Sequence, residues 1–495
     1  MSVGKKAGKG FFSFLYRSML EKFMGMITMI VLAKKLGPYD FGLVIITDTL
    51  LTLISAFGTT GLAEYLLAYK KDDVDEVFKA AFWFNIVVSF AVFLLFVGIA
   101  PFWAHYQNDH RIFTISLISG VIFLFSQLQS IPKSWLSKNL MFDTQVKIQA
   151  PFIVIIPIAK ILAVYMGFGV YSLVLPNLIF QPLLTFIFYA RTRLKPGFNI
   201  YADRWKEIYH FTKYLIGSSL LSRIADQGDE IILSKRLGLD QLGIFDMAMR
   251  MSDIFTAPLV AVSNNILSSV LPKFTNDKDR FYDYYIRFIK AFAFVVFPVL
   301  SIMFLTSRPV ILFLYGPKWI GAVQPMKILI IYAALRAVTS SYGCVMNSFH
   351  LNKKSFLVTA VYTPFHLIGS VMGSSFGVSG VAASLVLIRF VFINWSIAQM
   401  MRAMSVKFIK WYQSLAPYIL CCALIVAVLT LPLSHYLFET RIENAILICC
   451  AATVFLISYY LYFMIFLKSE SRKVSAFVGA IFPKIQKPFN IAFKL

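Results

Sequence analysis

Residues Ala80–Trp103 read AAFWFNIVVSFAVFLLFVGIAPFW, an apolar run without a single formal charge. Crossing a hydrocarbon core takes about 20 residues of helix, so this run is long enough to span a bilayer. Leu357–Phe376 and Ala445–Leu467 have the same character. In lipid the backbone must satisfy its own hydrogen bonds, which selects helices over open strands. The polar–apolar alternation of a barrel strand is missing from these runs. The composition agrees, with 59% of the 495 residues hydrophobic and 14% charged, against roughly 45–50% and about 25% in soluble domains. The expected fold is an all-α polytopic membrane protein.

A net charge of +23 invites a nucleic-acid partner. The cations, however, sit in short clusters between apolar runs, where they orient helices and meet anionic membrane lipids. No nucleic acid is expected. The five cysteines, Cys344, Cys421, Cys422, Cys449 and Cys450, all lie inside apolar runs and lack metal-ligand spacing, so they read as small apolar residues. No metal site, nucleophile–base pair or cofactor motif stands out. Phe11–Ala33 follows a basic start but has no small-residue cleavage site, so it reads as a helix and not a signal peptide.

Apolar runs broken by charge, proline and glycine predict about fourteen spans, at 11–33, 43–67, 80–104, 112–132, 148–167, 170–190, 211–234, 243–271, 288–306, 321–350, 355–376, 378–401, 412–434 and 444–467. About two-thirds of the 47 Lys and Arg then fall on one side of the membrane, which places both termini in the cytoplasm. An internal repeat organises the chain. Lys34-Lys35-Leu36-Gly37 with Phe41-Gly42-Leu43 returns as Lys235-Arg236-Leu237-Gly238 with Leu242-Gly243-Ile244, so position 34 becomes 235, an offset of 201. Phe168-Gly169-Val170 is echoed by Phe376-Gly377-Val378. Six predicted helices separate the copies, an even number, so both insert in the same direction. The expected organisation is two pseudo-symmetric six-helix lobes, 1–205 and 206–405, then two extra helices over 406–467 and a basic cytoplasmic tail over 468–495. Gly58, Gly61, Gly217 and Gly228 are expected to let helices bend or approach.

Several of these segments resemble a known family. Leu32-Ala33-Lys34-Lys35-Leu36-Gly37-Pro38-Tyr39-Asp40-Phe41-Gly42-Leu43 is similar to the opening signature of bacterial polysaccharide exporters of the Wzx type, within the multidrug/oligosaccharidyl-lipid/polysaccharide exporter superfamily. Asp229–Gly238 with Leu242–Phe245 looks like the start of the family's second lobe, and Leu271–Phe274 and Phe313–Trp319 resemble later segments. Ser234 and Asp246 depart from the small apolar or aromatic residues more usual there. The resemblance implies a flippase moving an undecaprenyl-diphosphate-linked oligosaccharide from the cytoplasmic to the outer leaflet, for lipopolysaccharide or exopolysaccharide export. It further implies a multi-pass protein of the bacterial inner membrane, working beside a polysaccharide polymerase and export machinery.

Ionisable residues inside spans are costly and are read first as functional. Lys22 plus the repeat offset is Arg223, so the copies set a cation at matching depth, and arginine grips phosphate oxygens with two donors. Arg17 and Glu21, four apart, serve an intrahelical ion pair as readily as a substrate. Arg336 and Arg389 have no acid within a turn, whereas Arg250 has Asp253 three residues on. These six cations, Lys22, Arg223, Arg17, Arg336, Arg389 and Arg250, are the expected substrate-binding set. Lys160 reads as a snorkelling residue and Lys327 as near a helix end. Asp226, Glu230, Glu21 and Asp48 are the candidates for coupling to a proton or sodium gradient, since carboxyls in a cavity titrate near neutrality. His366 reads as packing in preference to a proton relay. The expected mechanism is alternating access. The competing functions are a multidrug or cation exporter on the same scaffold, and a membrane sugar polymerase or glycosyltransferase. Cationic drugs ask for an acidic cavity, and an enzyme for outer loops richer in acid–base residues than these.

Overall fold

The computed structural model describes residues 3–57, 61–69, 73–139, 141–192, 199–435 and 441–466. Gly58 and the basic tail over 468–495 lie outside the described residues. The chain forms two compact units, Met1–Gly243 and Ile244–Leu495. The first contains α1 (Val3–Lys35), α2 (Pro38–Ser55), α3 (Leu62–Ala68), α4 (Val74–Gln107), α5 (Arg111–Leu128), α6 (Ser130–Lys138), α7 (Phe142–Tyr165), α8 (Leu175–Thr192), α9 (Trp205–Leu237) and the first turn of α10 (Leu239–Asp253). The second continues through α11 (Thr256–Val270), α12 (Lys278–Leu305), α13 (Ser307–Leu314), α14 (Val323–Thr339), α15 (Tyr342–Ser348), α16 (Asn352–Gly373), α17 (Gly377–Ala403), α18 (Ile409–His435) and α19 (Arg441–Phe466).

Among the described residues, 11 helical segments are long and apolar enough to cross a membrane, and 12 if the bent pair α10–α11 makes one span. α1 and α9, 33 residues each, are not among them, because charges interrupt their apolar runs. They stand where the expected spans 11–33 and 211–234 lie. Large apolar side chains such as Phe102 (78% exposed) and Phe376 (82%) point outward, which lipid tolerates and water would not.

The boundaries depart from expectation where physics other than hydropathy acts. The predicted span 43–67 is two helices, α2 and α3. Its start moves back to Pro38, which suits the first turn of a helix, and the Asp40 carboxylate accepts from the Gly37 amide at 3.1 Å. Gly61, at φ 92°, opens α3. α9 runs well past the predicted 211–234, because leaving the hydrocarbon does not by itself end a helix. α10 and α11 meet at a bend of 50°.

The repeat is visible in the element order. α1 and α9 have equal length, the broken pair α2–α3 is matched by α10–α11, and α5–α6 by α14–α15. Gly169 and Gly377 both take positive φ, 53° and 71°. Gly37 and Gly238 differ: φ is −94° at Gly37, while 90° at Gly238 needs glycine. The second glycine of each motif serves backbone packing within the first unit. A Cβ on Gly42 would strike the Leu239 carbonyl, and one on Gly243 would strike the Pro38 carbonyl. Residues 38 and 239, like 42 and 243, are equivalents at the repeat offset, so the contact is reciprocal. Gly217, expected at a close approach, faces open space instead.

In the first unit α1 packs on α7, and α2 sits among α4, α5 and α9. In the second, α12 joins α14 to the C-terminal pair α18 and α19. That junction is aromatic: Phe294 on α12 lies 5.1 Å from the Phe463 ring and 5.4 Å from Tyr459. The Tyr459 hydroxyl donates to the Phe294 carbonyl at 3.1 Å. Since lipid is as apolar as these rings, close packing and not water exclusion holds the pair.

One connection carries a pH signature. The Asp109 carboxylate, between α4 and α5, accepts from Tyr39 hydroxyl at 2.8 Å and from Arg111 Nη2 at 2.7 Å. Burial pushes its pKa up, but the hydrogen bonds from Arg111 and Tyr39 outweigh that and hold it below 3.8. A depressed carboxyl contributes stability above its unfolded pKa and loses it as pH falls through the folded value. Thermal melts in detergent are therefore expected to weaken as pH falls below about 5, where an unfolded aspartate begins to protonate. Asp109→Asn should be less stable at pH 6 and show a shallower acid slope.

Candidate functional site

In the first unit, α9 presents a polar stripe. Ser219, Arg223, Glu230 and Ser234 recur at helical spacing and so share a face. Arg223 donates through Nε to Ser219 Oγ at 3.3 Å and through Nη1 to the Thr52 carbonyl of α2 at 3.2 Å. Both partners are neutral. One turn back along α2, the Thr49 hydroxyl lies against the Glu230 carboxylate and 2.8 Å from the Ile45 carbonyl, two acceptors that share its one proton. Further along, Gln107 Nε2 of α4 donates to Ser234 Oγ at 3.0 Å. The serine that departs from the family pattern thus closes an interhelical hydrogen bond.

α2 is the hub of this site. Its Asp48 is exposed and has Lys160 of α7 as an electrostatic neighbour. On α1, Arg17 Nη2 reaches Glu21 Oε2 at 3.5 Å, a loose pair, and both lie in the field of Lys133 on α6. Lys22 is exposed on α1, as is Asp226 on α9. The coupling candidates Glu21, Asp48 and Glu230 therefore each have a cation or a hydroxyl as a neighbour.

The second unit pairs its charges differently from the sequence expectation. Arg250 bonds Asp246, four residues back, in place of Asp253. Asp253 instead bonds Arg336 of α14. The helical spacing offered Arg250 an acid on either side, and the bend after Asp253 turns that carboxylate toward α14. The departure at Asp246 is explained by the same pairing. Arg336 also lies 5.9 Å from the Tyr332 ring, and Lys327 lies 5.7 Å from Phe304. Arg389 of α17 lies 5.6 Å from the Tyr362 ring of α16. The Tyr362 hydroxyl in turn meets His366 Nδ1 at 2.9 Å and Tyr332 at 3.4 Å. His366 is buried, in keeping with a packing role, yet hydrogen-bonded into this cluster. Thr49, Gln107, Tyr332 and Tyr362 escaped sequence reasoning, since neutral polar residues in apolar helices usually satisfy only their own backbone, and Lys133 escaped it by standing one residue beyond the predicted span 112–132. Among the described residues no group of three His, Cys, Asp or Glu is placed to hold a metal.

Apolar helices on this scale, with charges held inside them by neighbouring helices, define a polytopic α-helical membrane protein. The chain belongs to the family of polysaccharide biosynthesis proteins, whose model matches residues 31–324. It is 23% identical over 403 residues to the teichuronic acid biosynthesis protein TuaB of Bacillus subtilis, covering 79% of this chain and 82% of that one. It is 21% identical over 370 residues to the lipopolysaccharide biosynthesis protein WzxC of Escherichia coli, covering 72% and 73%. In fold it is similar to the lipid II flippase MurJ in an inward closed conformation, with a TM-score of 0.67, 16% identity, and coverage of 91% of this chain and 98% of that one.

Proposed function

We propose that the chain is a flippase that carries the headgroup of an undecaprenyl-diphosphate-linked oligosaccharide from the cytoplasmic to the outer leaflet by alternating access. On this reading both termini are cytoplasmic and the protein resides in the bacterial inner membrane. It would supply a polysaccharide polymerase and the export machinery beyond it. The family supports the substrate class, and the repeat supports the division into lobes 1–205 and 206–405.

The observation that carries the reading is Arg223. A cation at mid-span costs about 2.5–3.5 kcal/mol in a membrane helix, and here its hydrogen bonds go to neutral oxygens. Those contacts orient the guanidinium without cancelling its charge, leaving it suited to a diphosphate. Lys22, its counterpart in the repeat, is exposed on α1. Glu230, bound to Thr49, and Asp226 one turn before it are the carboxyls best placed to take a proton or sodium ion as Arg223 engages and releases its ligand.

The test is genetic. The gene is deleted in its native host and lipid-linked oligosaccharide on the inner leaflet is measured, with wild type and Lys22→Ala/Arg223→Ala supplied in trans. Accumulation that wild type relieves, and the double variant leaves despite normal membrane abundance, is the expected result. Unchanged lipid-linked sugar and unchanged surface polymer in the deletion strain would overturn the proposal.

A further inference from the structure

Within the second unit, α14 to α17 line an open-mouthed cavity of about 220 Å³. Its wall carries hydroxyls from Thr339, Thr359 and Ser396, aromatic rings from Tyr362 and Phe392, and a single charge, Arg389. The Arg389 Nε is sealed from solvent and has no hydrogen-bond partner. The other cation of this neighbourhood, Arg336, is matched by Asp253. Every remaining lining residue is neutral. A guanidinium in a membrane-embedded cavity without an acid on the wall is an anion receptor, and its planar fork suits an oxyanion above a spherical halide.

Size and lining narrow the ligand further. At about 30 Å³ per water the cavity holds roughly seven waters, the room of one substituted sugar ring and too little for two. Ring faces beside a few hydroxyls match the apolar face and hydroxyl edge of a pyranose, and pockets of this mixed lining are typical of small-molecule sites. We propose that the cavity is a binding site for an oxyanion carried on a single sugar ring, such as a uronic-acid carboxylate. Arg389 grips the carboxylate, Tyr362 and Phe392 cover the ring, and the Thr339, Thr359 and Ser396 hydroxyls meet its rim. The sugar part of this assignment rests on the flippase reading. The oxyanion part stands without it.

The test uses purified full-length protein in phosphatidylcholine nanodiscs, titrated with glucuronate, glucose, acetate and inorganic phosphate. Glucuronate is expected to bind at least tenfold more tightly than glucose or acetate. Arg389→Gln should weaken glucuronate binding at least tenfold, and Arg389→Lys should lie between. Ser396→Leu fills the cavity while keeping the guanidinium, and should abolish binding as fully as Arg389→Gln. Equal affinity for phosphate, acetate and glucuronate, all lost in both Arg389→Gln and Ser396→Leu, would support the oxyanion site and overturn the sugar assignment. Binding that survives Ser396→Leu would overturn the location. An absence of Arg389-dependent oxyanion binding in monodisperse protein would overturn the whole proposal. Because the readout is binding by the isolated protein, it can fail while the genetic test of flipping succeeds, and the reverse.

Discussion

Gly42→Val and Gly243→Val are each expected to strip the folded protein from the membrane. At both positions the obstacle is a carbonyl of the facing turn, Leu239 for Gly42 and Pro38 for Gly243. A side-chain clash can be relieved by a rotamer change, but a backbone clash moves a helix. Ordinary overpacking costs about 1–3 kcal/mol, and a clash that must displace two helix starts should reach or exceed the top of that range. Gly25→Val and Gly98→Val are the controls, because nothing lies within 4 Å of either built Cβ. Size-exclusion profiles and thermal melts of fluorescent fusions should show little folded Gly42 or Gly243 variant and near-normal controls. A Gly42→Val protein with wild-type yield and melting temperature would show that the close approach is not required.

Arg223→Ala should be the most damaging single substitution for transport. Losing hydrogen bonds to a charged group costs about 1.5–3 kcal/mol, which at about 1.4 kcal/mol per decade is a fall of roughly 10- to 150-fold. Arg223→Lys keeps the charge without the fork and should sit between. Ser219→Ala removes only the hydroxyl that receives Nε and should have a smaller effect. Arg223→Gln separates the two roles open to this residue. Glutamine can still tie α9 to the Thr52 carbonyl but carries no charge, so a flipping rate near wild type in proteoliposomes would reduce Arg223 to a helix tie.

Much of the fold is legible in the residues because the membrane imposes it. Ala80–Trp103 has no alternative to a helix, and the offset of 201 relates the copies without any structure. What could not be read is where a helix ends or breaks. Nothing in the hydropathy of 43–67 separates α2 from α3, and the polar starts of α9 and α12 lie beyond the apolar runs. The charges were legible as a set and not as pairs. Asp253 stands three residues after Arg250, yet the structure gives it to Arg336 across the unit's interior, a choice made by the bend at the end of α10. Thr49 gave no signal at all, since its bond to the Ile45 carbonyl is what any membrane threonine does.

Identical subunits related by a two-fold axis pair so that residue i meets residue j and j meets i. Pro38 against Gly243 and Gly42 against Leu239 is that arrangement held inside one polypeptide. The first copy carries both halves of the contact, a glycine and the carbonyl four residues before it. A half-length ancestor with this turn would have been complementary to itself. In the present chain the two turns are held to each other's backbone, so neither glycine can gain a side chain unless the opposite turn moves away.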